Sequence, residues 1–235
     1  MKPLKFIHIT KSAGTSMEDL AAKQNIKWGR HHSEYGFWHD YFSDKSHKLK
    51  QAYDWFMVVR NPYGRVISEY NWINSNEKRS IRNEPRGCIV NDFNEFISEK
   101  LRIISENKQL KEPLRKGHFN KQSRYLDSSV SITVLKFENI EVEFNKLMKL
   151  YNLNLILNAH KNKIPSDLTY RDINNANMAL INEVYKEDFA IFGYKMLESE
   201  EEEYNVEEFM PLPKFAEKNI RSVYDLENSL VKNEK

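Results

Sequence analysis

"FIHITKSAGTSMEDL", Phe6 to Leu20, sets the architecture. An apolar, β-prone run from Leu4 to Ile9 gives way to a polar exit loop, Thr10 to Gly14. Thr15-Ser16-Met17-Glu18 has the spacing of a capping box, so a helix is expected to about Lys23. That order places a helix N-terminus beside the carboxyl end of a strand. The unpaired N–H groups there, with a partial positive charge of about half a unit, favour an anion. Gly14 lets a ligand approach the backbone, Thr15 and Ser16 add hydroxyl donors, and Lys11 adds a mobile charge. The stretch lacks the G-x-x-x-x-G-K-[ST] of triphosphate loops. A capped helix beside a surface lysine would read the same way, so the loop needs support from elsewhere in the chain.

Working outward, Ile26 to Trp28 reads as a short second strand ending near His31-His32, and Trp55 to Val59 as a third, apolar on both faces. Asn61-Pro62 supplies an N-cap and a proline at the first helical position, with the helix running to about Trp72. Asn74 to Asn91 is polar and basic and reads as loop, Asp92 to Ser105 as helix, Ser131 to Lys136 as strand. Phe144, Leu147, Met148 and Tyr151 fall at helical spacing within Glu141 to Tyr151, and Ile181, Val184, Tyr185 and Phe189 give another such face. Glu198 to Glu203 is an acidic run expected to be a solvated linker, and a last helix is expected over Lys214 to Val231. The expected division is one domain over residues 1–197, then an acidic linker and helical extension over 198–235. Strands alternating with helices point to an α/β fold with a central parallel sheet flanked by helices. Ligands of such sheets sit beyond the carboxyl ends of the strands. Lys11 to Ser16, His31-His32 and Arg60 all fall at expected strand exits.

The chain has 235 residues, enough for one domain with a real core. Apolar residues at 40% and charged residues at 30% are ordinary for a soluble globular protein. A net charge of +2 gives no signal for nucleic acid. One cysteine, Cys88, excludes an internal disulfide and a thiolate-rich metal site. No apolar run reaches the roughly 18 residues of a membrane span. Met1 to Lys5 leads straight into the first strand, without the apolar core of a signal peptide. A soluble, cytoplasmic, reducing location is therefore expected.

"MVVRNPYGRVISEY", Met57 to Tyr70, strengthens the anion reading. Arg60 leaves a buried strand as the chain turns, and its planar fork suits bidentate contact with phosphate. Ser68 follows nearly two turns into the helix. A carboxylate partner for Arg60 and a packing role for Ser68 would explain these residues separately. Two anion sites at neighbouring strand exits would suit one ligand with two separated phosphates.

"HITKSAGTS" and "VRNPYGRVISEY" resemble H-I-P-K-T-[AG]-G-T-S and V-R-[ND]-P-x-x-R-[LV]-x-S-x-Y of sulfotransferases that use 3′-phosphoadenosine-5′-phosphosulfate (PAPS). The resemblance is to the carbohydrate-type branches, bacterial and uronyl 2-O. It continues through "LKFENIEVEF", "HKNK" and "YKEDFAIFGYKM" in the same order, covering roughly Leu4 to Met196. Thr10 and Ser12 replace a usual proline and threonine. The resemblance implies a P-loop-like three-layer sandwich. It implies that Lys11, Ser12, Ala13, Gly14, Thr15 and Ser16 cradle the 5′-phosphosulfate, that Arg60 and Ser68 hold the 3′-phosphate, and that Lys161, Asn162 and Lys163 close over the nucleotide. The product is then 3′-phosphoadenosine-5′-phosphate (PAP), and no metal is required.

Sulfuryl transfer to an alcohol needs a base, and histidine titrates near neutrality. "WGRHHSEYGF" offers His31 and His32. The resemblance favours His31, His32 is its rival, and Glu34 is a lesser candidate. Lys11 can neutralise the oxygen that leaves. His8 fits a core or supporting role, and His39, His47 and His118 have no motif support. Gln122 and Arg124, with Tyr125, lie in "GHFNKQSRYL", a segment similar to one used near the acceptor. Arg79, Arg82 and Arg86 would suit an anionic sugar or a solvated loop equally. The expected acceptor is a hydroxyl on a carbohydrate, with no nucleic-acid partner. A kinase-like phosphotransferase and a non-catalytic nucleotide-binding module are the alternatives. The first would need magnesium, and the second would bind without turnover.

Overall fold

The computed structural model describes residues 1–28, 41–74, 92–105, 118–158, 167–204, 212–213 and 219–233. Its sheet comprises β1 (Leu4–Ile7), β2 (Asp54–Val59), β3 (Ile132–Lys136) and β4 (Ile220–Arg221), ordered β1-β2-β3-β4 and parallel throughout. Phe6 aligns with Phe56 and Thr133, and Ile7 with Met57 and Val134. Successive side chains point to opposite faces. Ile7, Trp55, Met57, Val59, Ile132 and Val134 therefore feed one core, while Phe6, Phe56, Val58 and Leu135 feed the other.

Helices cover both faces. On the Met57 side lie α3 (Pro62–Asn74), α4 (Phe93–Ser105), α6 (Asn175–Val184) and α7 (Lys186–Phe192). On the Phe56 side lie α1 (Gly14–Ala22), α5 (Ile140–Leu150) and α8 (Val223–Asn233). A short α2 (His47–Ala52) precedes β2, capped by the Ser46 hydroxyl, which accepts from Leu49 N–H at 3.3 Å. This is the three-layer α/β sandwich that the patterning and the resemblance suggest, with its strands near Trp55 and Ser131 and its helices near Pro62, Asp92 and Glu141 as expected.

Three local readings change. Ile26 to Trp28 is not a strand. The chain leaves α1 through Asn25 at φ 58°, and Ile26 N–H donates to the Ala21 carbonyl at 2.9 Å. Trp28 then covers the sheet instead of joining it, with its ring 5.1 Å from Phe56 and 6.1 Å from Phe144. The helical face from Ile181 to Phe189 belongs to two helices that part at Tyr185. The last helix starts later than expected, at Val223, because Ser222 and Asp225 cap it reciprocally. Asp225 N–H donates to the Ser222 hydroxyl at 3.1 Å, and Ser222 N–H to the Asp225 carboxylate at 3.0 Å. The two residues of β4 precede that cap and pair with Ile132 and Thr133. Val223 and Leu226 pack into the Phe56-side core.

Candidate active site

The loop after β1 holds an unusual backbone. Lys11 and Ala13 both take φ 60°, the left-handed region that non-glycine residues rarely occupy. Ala13, with ψ 10°, is the N-cap of α1, and Gly14 begins the helix. A left-handed residue followed by a helical one turns successive N–H groups to one side, forming an anion-binding concavity. The first intrahelical bond runs from Met17 N–H to the Ala13 carbonyl at 3.2 Å, so Gly14, Thr15 and Ser16 head the helix.

The capping box expected at Thr15 is absent: no side chain caps α1. Thr15 is one residue inside the helix and exposed, and Glu18 turns inward to meet His8 Nδ1 at 3.2 Å. Gly14 answers a need on the protein's own side. A Cβ at this position would lie 2.2 Å from His8 Nε2, so the imidazole occupies the space that any other residue would fill. His8 has the supporting role expected of it, tying β1 to α1.

Arg60 follows β2 directly. Its Nη1 donates to the Lys11 carbonyl at 3.3 Å, and its guanidinium lies 4.1 Å from the Phe137 ring centroid, just beyond β3. The exits of β1, β2 and β3 thus converge on one side chain. Gln122 brackets its peptide, accepting from Arg60 N–H and donating to the Arg60 carbonyl, each at 2.8 Å. Gln122 is itself fixed by Asp188, which accepts from the N–H groups of Gln122 and Ser123 at 2.8 Å each. Burial pulls the Arg60 guanidinium down to about 10, against the pull of Glu138, so it stays charged at neutral pH. Burial likewise pushes the Asp188 carboxyl up.

Helix α3 carries the next layer. Asn61 Oδ1 accepts from Tyr63 N–H at 3.0 Å, the N-cap that the sequence predicts. Gly64 lets Arg60 lie along the helix, since a Cβ there would meet Arg60 Nε at 3.3 Å. Ser68, half-buried, stands one turn beyond Gly64 on the same stripe. The neighbouring stripe is Arg65, Glu69 and Trp72. Arg65 donates to the Thr10 carbonyl at 3.2 Å, the Thr10 hydroxyl at 3.0 Å and the His118 carbonyl at 2.8 Å. Glu69 meets His118 Nδ1 at 2.7 Å, and Trp72 stacks on the His118 ring at 4.6 Å.

The sequence-predicted loop and Arg60 therefore come together, with Ser68 alongside. Gln122, expected at the acceptor, is fully buried, and its amide is taken up by the Arg60 peptide. Arg124 is exposed over the Tyr41 ring at 4.5 Å. His31, His32, Glu34, Lys161, Asn162, Lys163 and the arginines at 79, 82 and 86 lie outside the described residues. Sequence reading missed Arg65, Glu69, His118 and Phe137. The i, i+4, i+7 spacing of Arg65, Glu69 and Trp72 was the available signal.

The fold and its first loop define a P-loop-like α/β protein. A model of the Sulfotransferase family matches residues 2–195, and the chain belongs to that family. No curated protein and no solved structure matches the chain. Membership makes this a transferase whose chemistry is sulfuryl transfer to a hydroxyl-bearing acceptor, in a family that generally uses PAPS as donor. No described helix is long and apolar enough to cross a membrane.

Proposed function

We propose that this sulfotransferase moves the sulfuryl group of PAPS to a hydroxyl on a carbohydrate by in-line displacement. The observation that carries the reading is the junction of Arg60 with the Lys11 carbonyl, which ties two cationic strand exits into one site. A donor with a 5′-phosphosulfate and a 3′-phosphate needs two anion positions a fixed distance apart, each with its own cation. In this reading the backbone of Ser12, Ala13 and Gly14, with the Thr15 and Ser16 hydroxyls, receives the 5′ group. Arg60 and Ser68 receive the 3′-phosphate, and Lys161, Asn162 and Lys163 close over it.

The chemistry then rests on charge and placement. Lys11 neutralises the oxygen that leaves. His31, or its neighbour His32, takes the acceptor's proton. Arg124 and Glu34 face the acceptor. The Gln122–Asp188 pair works one step back, fixing where Arg60 emerges from the sheet.

The test is calorimetric titration with PAP against AMP, ADP and ATP, without magnesium. Tight binding of PAP alone is expected, and equal binding of all four would overturn the reading. Arg60→Ala should weaken PAP binding by about 1.5–3 kcal/mol, the range for a contact to a charged group. His31→Ala should leave PAP binding intact and lower turnover by about 10² to 10⁴. Normal turnover by His31→Ala, with loss in His32→Ala, would move the base by one residue.

A further inference from the structure

The Lys11 ammonium has a built seat. Its Nζ lies 5.2 Å from the centroid of the Trp72 ring. The indole stacks on His118 with ring planes 21° apart. The imidazole cannot turn away, because Glu69, itself 1% exposed, grips Nδ1. Arg65 holds the His118 carbonyl and the Thr10 carbonyl together, so the ring's backbone and the residue before Lys11 share one anchor. Arg65, Glu69 and Trp72 all stand on one stripe of α3. Three side chains of a single helix thus frame the place of one ammonium group.

We propose that Trp72 is a positioning residue that presets the Lys11 ammonium for the leaving oxygen, held in its plane by His118 and Glu69. The proposal rests on the reading of Lys11 given above. Lysine has a flexible four-carbon stem, and ordering it during reaction would slow the step. An indole face attracts an ammonium group without cancelling its charge. Lys11 can therefore wait in place and shift to an oxygen as negative charge develops there. Such a device acts on the transition state and leaves the binding of donor and product largely unaltered.

The test compares Trp72→Phe, which keeps a ring, with Trp72→Leu, which keeps apolar bulk without one. The assay is PAP release from PAPS, to water where no acceptor is in hand. The Leu variant should lose roughly fivefold to thirtyfold in kcat, the rate equivalent of a cation–π contact, and the Phe variant less. KM for PAPS and the affinity for PAP should stay within about twofold if the contact acts only in the transition state. In a Lys11→Met background, Trp72→Leu should have no further effect, because the coupling partner is gone. If the Leu variant does not fold, Trp72→Met takes its place as apolar bulk without a ring, and an unchanged kcat there overturns the proposal. Equal losses in the Phe and Leu variants, or a loss that persists without Lys11, would do the same and make Trp72 a packing residue. Wild-type turnover by Lys11→Met would instead remove the leaving-group reading itself.

Discussion

At the strand starts, ammonium groups meet oxygens. Lys2 Nζ donates to the Gln51 carbonyl at 2.6 Å, Lys5 Nζ to the Lys27 carbonyl, and Lys50 Nζ to the Ser43 carbonyl at 2.8 Å and to Asp127 at 2.5 Å. Lys5 and Lys50 also lie over the Tyr53 and Phe42 rings, at 5.0 and 5.6 Å. At the strand exits, Lys11 lies over Trp72, and Arg60 lies over Phe137 while donating to the Lys11 carbonyl. The carboxylates there have partners of their own. Glu18 and Glu69 meet imidazoles, and Glu138 accepts from Asn61 N–H at 2.8 Å and from the Tyr194 hydroxyl at 2.9 Å. The difference teaches how one small sheet can use charge for two ends. Oxygen partners close a cation and fasten the chain. An aromatic face adds a hold that does not cancel the charge.

Three substitutions sharpen or break that contrast. Lys11→Ala should have the largest effect. It should lower kcat by about 10² to 10³, the range for one lost electrostatic contact to a developing charge. Thermal unfolding should barely shift, because the ammonium is not part of the core. A large loss of stability with little loss of rate would place Lys11 with the fastening charges.

Gly14→Ala comes next. Its Cβ would displace the His8 ring, and overpacking of this kind costs roughly 1–3 kcal/mol. Denaturant unfolding should show that loss. The double variant with His8→Ala, which makes room, should recover part of it. Additive losses would mean that the imidazole is not the obstacle.

Asp127→Asn should have the smallest effect and leave kinetics unchanged. Burial raises the Asp127 carboxyl, but hydrogen bonds from Lys50 and Ser129 outweigh it and hold the group below its ordinary 3.8. A carboxylate lowered in the folded state adds stability above the unfolded value and loses it as pH falls through the folded one. The pair is partly exposed, so its contribution is screened and about 0.2–1 kcal/mol. Wild type and variant should differ by that amount at pH 7 and converge in acid, once the folded carboxyl has taken up its proton. A gap that persisted into acid would point to a cause other than charge.

The contrast also explains what could be read from the chain. Leu4 to Ile9, of which Leu4 to Ile7 form the strand, Trp55 to Val59 and Asn61-Pro62 are local signals, in which apolar runs and a capped proline decide structure within a few residues. Ile26 to Trp28 failed because a short apolar run looks alike whether it enters a sheet or lies across one. The seat of Lys11 was only half legible, since the stripe of Arg65, Glu69 and Trp72 is local but its partners are not. His118 and Glu69 are 49 residues apart, and Gln122 and Arg60 are 62 apart. No local spacing reveals partners that only the parallel sheet brings together. Lys11 and Arg60 were legible because each stands at the end of a strand of its own. Their supports come from α3 and from the segment before β3.

Two residues of the first loop carry a further consequence. Lys11 and Ala13 both occupy backbone conformations in which glycine would be at ease. A non-glycine residue in such a place sacrifices about 1–3 kcal/mol of stability. At Ala13 the loop could recover that by a single change, and Ala13→Gly is the substitution by which selection for robustness alone would reshape it. At Lys11 the same relief would remove the ammonium. On the proposed role of Lys11, the loop therefore marks a point where durability and reactivity pull against each other, and the residue kept at position 11 favours the second.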